Sequence, residues 1–270
     1  FQLSGGKNRK AKSHADPAKL VLPPYYPDHP VIRQDWAKYL DSWVKTDEEV
    51  GQILADLEKA GRLDATAVFL WTDHGVSHLR GKQFLYEEGI RVPLVIRLPK
   101  KRRAGTVRDD LIEHIDVAAC SLKLAGIKIP GNIQGRDFLA DDYEPRKFVF
   151  AARDRCDETV DVLRCVRGSR YKYVRNFMSH VSHAQPSQYK DGKKIVQVIR
   201  GLYEEGKLNE QQSRPFLPRR PPEELYDLQT DPHELVNLAT DPKLRDRLAD
   251  MRMALRRRMA ETRDMGLIPE

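Results

Sequence analysis

Residues 72–93, TDHGVSHLRGKQFLYEEGIRVP, gather the side chains best suited to chemistry. Asp73 and His74 set a carboxylate beside an imidazole, donor types that divalent cations take. Gly75 lets the chain turn sharply next to them. Nine residues after Asp73 stands Lys82, preceded by Gly81. A lysine ammonium is a compact point charge that suits an oxyanion of phosphate or sulfate. His78, four residues after His74, is placed to hydrogen-bond a substrate or to brace Lys82. Taken singly these residues say little, because Asp-His-Gly is also an ordinary turn and an isolated lysine is ordinary surface. Their joint occurrence on one loop between two apolar runs points to a site for a metal and an anion.

The runs are residues 65–71 (ATAVFLW) and 92–98 (VPLVIRL), continuous enough to be strands buried on both faces of a parallel sheet. Ligands of open α/β sheets collect outside the carboxyl ends of the strands, which is where Asp73 and His74 fall. Upstream, Trp36, Leu40, Trp43, Val44, Val50, Ile53, Leu54 and Leu57 recur at three and four, and the spacing predicts an amphipathic helix over 31–60 that ends at Gly61. A second helix is expected over 110–125, ending at Gly126. These elements amount to half of a helix-flanked sheet, and half a sheet needs a partner. After Pro145 the texture changes to short strand-like runs at 147–152, 160–166, 171–174 and 224–228, which predict a small antiparallel sheet. Residues 177–222 read as loop and helix, and 241–265 as a charged helix with Leu244, Leu248, Met251, Leu255 and Met259 on one stripe. The expected division is residues 1–145 and 146–270.

With 270 residues, 40% of them hydrophobic, the chain can bury a sizeable core and is not disordered as a whole. No window approaches the ~18 to 20 apolar residues of a membrane span, and the opening FQLSGGKNRKAK lacks the apolar block of a signal peptide. That opening reads as a polar surface segment, and it leaves localisation unknown. Cys120, Cys156 and Cys165 are too few for a disulfide framework and too irregularly spaced for a zinc knuckle. A net charge of +7 favours anionic partners. Nucleic acid is not among those expected, because no basic stretch is interleaved with aromatics in the pattern of a nucleic-acid module.

The block VFLWTDHGVSHLRGKQFLYEEGIRVPLVI resembles the second signature region of the sulfatases of the alkaline-phosphatase-like superfamily: strand, S/T-D-N/H-G, spacer, G-K, then YEGG-hydrophobic/Arg-x-P and a strand. DWAKYLDSWVKTDEEVGQILADLEKAG, SRYKYVRN and ELYDLQTDPHELVNLA, followed by a basic helix, extend the resemblance over most of the chain. It implies an α/β fold: the C-terminal part of an alkaline-phosphatase-like α/β core, then a small antiparallel-sheet subdomain with a C-terminal helix. It implies hydrolysis of a sulfate ester or sulfamate, with sulfated carbohydrate as the expected partner, and one divalent ion, calcium. By position Asp73 and His74 would be metal ligands, and Lys82 would hold a sulfate oxygen; His78 joins Lys82 as a catalytic candidate from its place on the loop alone, against the reading of an ordinary surface histidine. An imidazole at 74 departs from the asparagine of many members, and calcium prefers oxygen ligands.

Catalysis in the family rests on a cysteine or serine in C/S-x-P-x-R, converted to formylglycine, and Cys120, Cys156 and Cys165 do not fit that pattern. The expectation is therefore a partial chain, inactive alone, with the nucleophile supplied upstream; family resemblance also implies export. The stretch AARDRCDE adds Arg153, Asp154, Arg155 and Glu158 as candidate substrate-binding residues, since guanidinium forks suit sulfate and carboxylate on a sugar. An internal ion-pair network is the competing reading of the same cluster. Two other functions stay open: a phosphonate or phosphodiester hydrolase of the same superfamily, and a noncatalytic module that binds acidic polysaccharide.

Overall fold

The helix over Pro30–Lys59 (α1) shows how locally the fold is written. Pro30 occupies its first turn, where a missing N–H costs nothing, and the His29 ring accepts from the Val31 N–H. At the other end Gly61 takes φ 64°. The N–H groups of Gly61 and Arg62 return to the carbonyls of Glu58 and Leu57, a Schellman closure. In the computed structural model, which describes residues 14–267, α1 is followed by β1 (Val68–Trp71), α2 (Glu87–Ile90), β2 (Leu94–Arg97) and α3 (His114–Leu124). Then come β3 (Val149–Cys156), β4 (Thr159–Arg167), β5 (Tyr171–Asn176), α4 (Gln188–Asp191), α5 (Lys194–Glu204), α6 (Glu210–Ser213), β6 (Glu223–Asp227) and α7 (Arg245–Thr262). The basic residues of the opening segment before His14 lie outside the described residues.

The chain forms two compact units that interleave in sequence. One comprises residues up to 70, 94–106 and 188–213. In it α1 packs with α5, and β1 pairs with β2 in a two-stranded sheet. The expectation of strands buried on both faces is not met, since Trp71 is 44% and Val95 61% exposed. Two strands make one ladder, and among the described residues no third strand joins it.

The second unit comprises residues 71–93, 107–187 and 214 onward. Its sheet has the order β3-β4-β5-β6 with every pair antiparallel, as the alternating runs predict. Strand side chains alternate between faces, and here both faces are covered. Val166, Tyr173 and Leu225 pack under Leu248, Met251 and Leu255 of α7. Leu163, Cys165 and Val174, from the opposite face, pack against Leu85 of the 72–93 segment. The segment singled out for its chemistry is therefore one of the two lids of this sheet. α3 starts with a capping box between Glu113 and Asp116. The fully buried Asp116 is held by two hydrogen bonds from Arg146, at 2.5 and 2.7 Å.

Candidate active site

The 72–93 segment begins where β1 ends and folds back on itself through three glycines. Gly75 donates to Gly89 O at 2.9 Å, and a Cβ on Gly75 would meet Glu88 O at 1.7 Å. A Cβ on Gly81 would meet Val76 O at 1.9 Å, and one on Gly89 would meet Phe84 O at 2.3 Å. These glycines are needed because backbones pass close together. The sharp turn expected of Gly75 is thus a close approach, and its φ is not in the left-handed region. Lys82 N–H donates to Val76 O at 2.8 Å, so the lysine sits at the neck of a closed loop.

Asp73 projects into solvent, its side chain 86% exposed. His74 Nδ1 lies 2.7 Å from Gly75 O. A carbonyl only accepts, so Nδ1 carries a proton, and in the neutral ring that tautomer keeps a lone pair on Nε2. Nε2 lies 3.5 Å from Asp73 Oδ2. Two electron-pair donors facing each other at that separation suit a shared cation, and a backbone carbonyl that fixes the tautomer of a histidine is a usual feature of metal sites. The residues present fit part of a divalent-ion site. Among the described residues no group of three or more acidic, histidine or cysteine side chains is assembled, so further ligands would have to come from elsewhere. His78 is buried at 6% exposure, and Lys82 is half-buried. His114, which sequence reasoning passed over, brings its Nε2 to 3.0 Å from Thr72 O, next to Asp73.

Charge inside the protein secures this loop. Glu87 N–H donates to Glu234 Oε2 at 2.6 Å. Lys172 Nζ, fully buried, lies 2.5 Å from Glu234 Oε1 and 3.4 Å from Glu87 Oε1. Burial works against the Lys172 charge, but the two carboxylates outweigh it and raise the lysine pKa. Arg167 also reaches Glu87 at 3.5 Å. Beside them Tyr86 and Asn176 donate to Glu224 at 3.0 and 2.6 Å, as does Tyr226. Burial alone would raise the Glu224 pKa, yet hydrogen bonds from His183, Tyr226 and Asn176 hold it at about 2. His183 Nδ1 accepts from Arg220 at 2.8 Å, and burial lowers its pKa against the pull of Glu224.

Of the AARDRCDE residues, Arg153 turns inward and Asp154, Arg155 and Glu158 are exposed. Arg153 shares the covered face of Ala151 by regular alternation, and the register shift between Arg153 and Arg155 leaves Asp154 and Arg155 both on the outside. Asp154 pairs with Arg164 at 2.7 Å, and Arg155 donates to Asp157 O at 2.9 Å. The three cysteines are free thiols, and burial pushes those of Cys120 and Cys165 up to about 12. Ser213, Arg214 and Pro215 repeat the start of C/S-x-P-x-R, but Leu217 stands where the pattern needs arginine.

The chain is similar to known proteins in sequence and in fold. The family model described as sulfatase matches residues 5–127. The model described as N-sulphoglucosamine sulphohydrolase, C-terminal, matches residues 74–212, just over half of the chain. An ulvan-active sulfatase of Formosa agariphila is 36% identical over 253 residues, covering 93% of this chain and 42% of the relative. A solved 2-O GAG sulfatase superimposes with a TM-score of 0.61 at 22% identity, over 90% of this chain and 45% of that one. The phosphonate monoester hydrolase of Agrobacterium radiobacter does so with a TM-score of 0.57 at 20% identity, over 86% and 41%. The chain spans less than half the length of each of these three proteins.

Proposed function

The chain belongs to the sulfatase family, with the alkaline-phosphatase-like fold, and from that premise we propose that it is the C-terminal part of a hydrolase removing sulfate from carbohydrate. The observation that carries the reading is the Asp73–His74 pair at 3.5 Å, directly after β1 and on one closed loop with Lys82. The carbohydrate class is supported by the ulvan-active relative and by the sulphoglucosamine description of the model over residues 74–212. Export belongs to the same proposal.

In this reading the Lys82 ammonium donates to a sulfate oxygen and neutralises charge that grows on the leaving group as the S–O or S–N bond breaks. His78, four residues from Lys82 in sequence, braces that loop. Asp73 and His74 would hold a divalent ion, calcium by family resemblance, that supplies Lewis-acid polarisation of the sulfate when bound. The nucleophile is not among the 270 residues, since no C/S-x-P-x-R occurs in them. Formylglycine therefore falls to an N-terminal portion of the core, and the isolated chain is inactive.

The test is hydrolysis of an aryl sulfate and of sulfated disaccharides, with calcium and with chelator. The isolated chain is compared with the chain extended at its N-terminus by the rest of a sulfatase core. Calcium-dependent turnover only in the extended protein supports the reading. Turnover by the isolated chain, or none by a folded extended protein, sinks it.

A further inference from the structure

Lys82 stands between two residues with left-handed backbones, Arg80 at φ 80° and Gln83 at φ 81°. That region crowds the Cβ of an L side chain, so neither residue keeps it without being held. Both are held by groups far away in sequence. The Arg80 guanidinium donates to His233 O at 2.9 Å and Glu234 O at 3.0 Å, and lies 3.8 Å from the centroid of the Tyr86 ring. Gln83 O accepts from Arg153 Nη1 at 2.8 Å. Arg153 is itself fixed from behind: Nη2 donates to Thr159 Oγ1 at 3.0 Å, and Asp161 Oδ2 lies 3.4 Å from Nη1. Thr159 Oγ1 passes its own proton to Cys156 O at 2.7 Å, so the hydroxyl presents a lone pair to the arginine.

We propose that Arg153 and Arg80 are positioning residues that grip the backbone on either side of Lys82 and set where its ammonium points. Arg153 then serves the reaction from inside the protein, through the Gln83 carbonyl. Its consequence for catalysis rests on the reading of Lys82 as the sulfate-holding group; the grip itself does not. β3 and the 233–234 turn, from the same unit as the loop, thus hold both of its flanks.

The experiment uses the full 270-residue chain as wild type, Arg153→Met and Arg153→Lys. Hydrogen exchange is followed for amides 80–84 and, as a control, for those of β5 and β6. The rate of reductive methylation of Lys82 is measured against that of exposed Lys100. Arg153→Met should speed exchange at 80–84 by on the order of tenfold or more, as expected for losing a charge-assisted hydrogen bond. It should change the Lys82 methylation rate relative to Lys100 and leave β5 and β6 unaltered, and Arg153→Lys should recover part of both effects. Unchanged behaviour at 80–84, or an increase shared equally by β5 and β6, overturns the proposal. If Arg153→Met fails to fold, Thr159→Val loosens the same guanidinium and is held to the same two outcomes. Methylation of the wild type with and without sodium sulfate is read separately. A Lys82 rate indifferent to sulfate yet dependent on Arg153 would sink the sulfate reading and leave the grip standing.

Discussion

Lys172→Met should be among the most damaging single changes in the sheet unit. The lysine is fully buried, 2.5 Å from a carboxylate of Glu234 that is itself 1% exposed, with Glu87 as a second acceptor at 3.4 Å. Removing the cation leaves two acids facing each other under the 72–93 loop. Breaking a buried pair in this way costs about 3 to 5 kcal/mol, whereas replacing both partners by neutral groups of similar shape costs far less. At 2 to 4 °C per kcal/mol for a unit of this size, the melting temperature should fall by roughly 6 to 20 °C. The double variant Lys172→Met/Glu234→Gln should recover much of that loss, since Glu87 keeps Arg167 at 3.5 Å. Calorimetry and urea titration of wild type, both single variants and the double give the coupling directly. A single variant within about 1 kcal/mol of wild type, or strictly additive effects, would refute the idea that this charge pair secures the loop.

Gly75→Ala should disrupt the loop outright, because its new carbon would lie 1.7 Å from Glu88 O, where real contacts do not fall below 3.0 Å. A cost of about 3 kcal/mol or more is expected, read by urea titration, and a wild-type midpoint would count against the close approach. Glu224, with its pKa held at about 2 against 4.5 for a free side chain, contributes stability that is fully present above pH 4.5. That contribution is lost as pH falls toward 2, and it amounts to about 3 kcal/mol. Glu224→Gln should therefore flatten the stability curve between pH 4.5 and 2, and a curve parallel to wild type would contradict the assignment.

What sequence made legible was whatever is specified nearby. α1 spans Pro30–Lys59 against an expected 31–60, because Pro30 at the start and Gly61 at the end are themselves the stop signals. The pairing of Tyr171–Asn176 with Glu223–Asp227, and the stripe of α7 over Tyr173 and Leu225, followed from alternation and helical spacing. Alternation misleads where both faces of a sheet are covered. Lys172 in YKYV reads as the solvent side of its strand, yet it is fully buried because the 72–93 loop lies over that face. Asp73, His74 and Lys82 are proposed from one stretch of chain, and the structure sets them on one loop. The groups that secure them, Arg153, Lys172 and Glu234, lie from 70 to about 150 residues away, and no local pattern connects them. Arg153 looked like a sugar-facing guanidinium because the 72–93 segment that covers its face of the sheet lies some 70 residues away in sequence.

The central claim, that this loop handles a sulfate group, is tested most directly by kcat for aryl sulfate hydrolysis in the N-terminally extended protein carrying Lys82→Ala. Loss of one charge-neutralising donor should lower kcat on the order of 100-fold to 1000-fold, with the melting temperature little changed. Turnover equal to that of the unsubstituted protein would contradict the assignment of Lys82, and with it the sulfate-handling role of the loop.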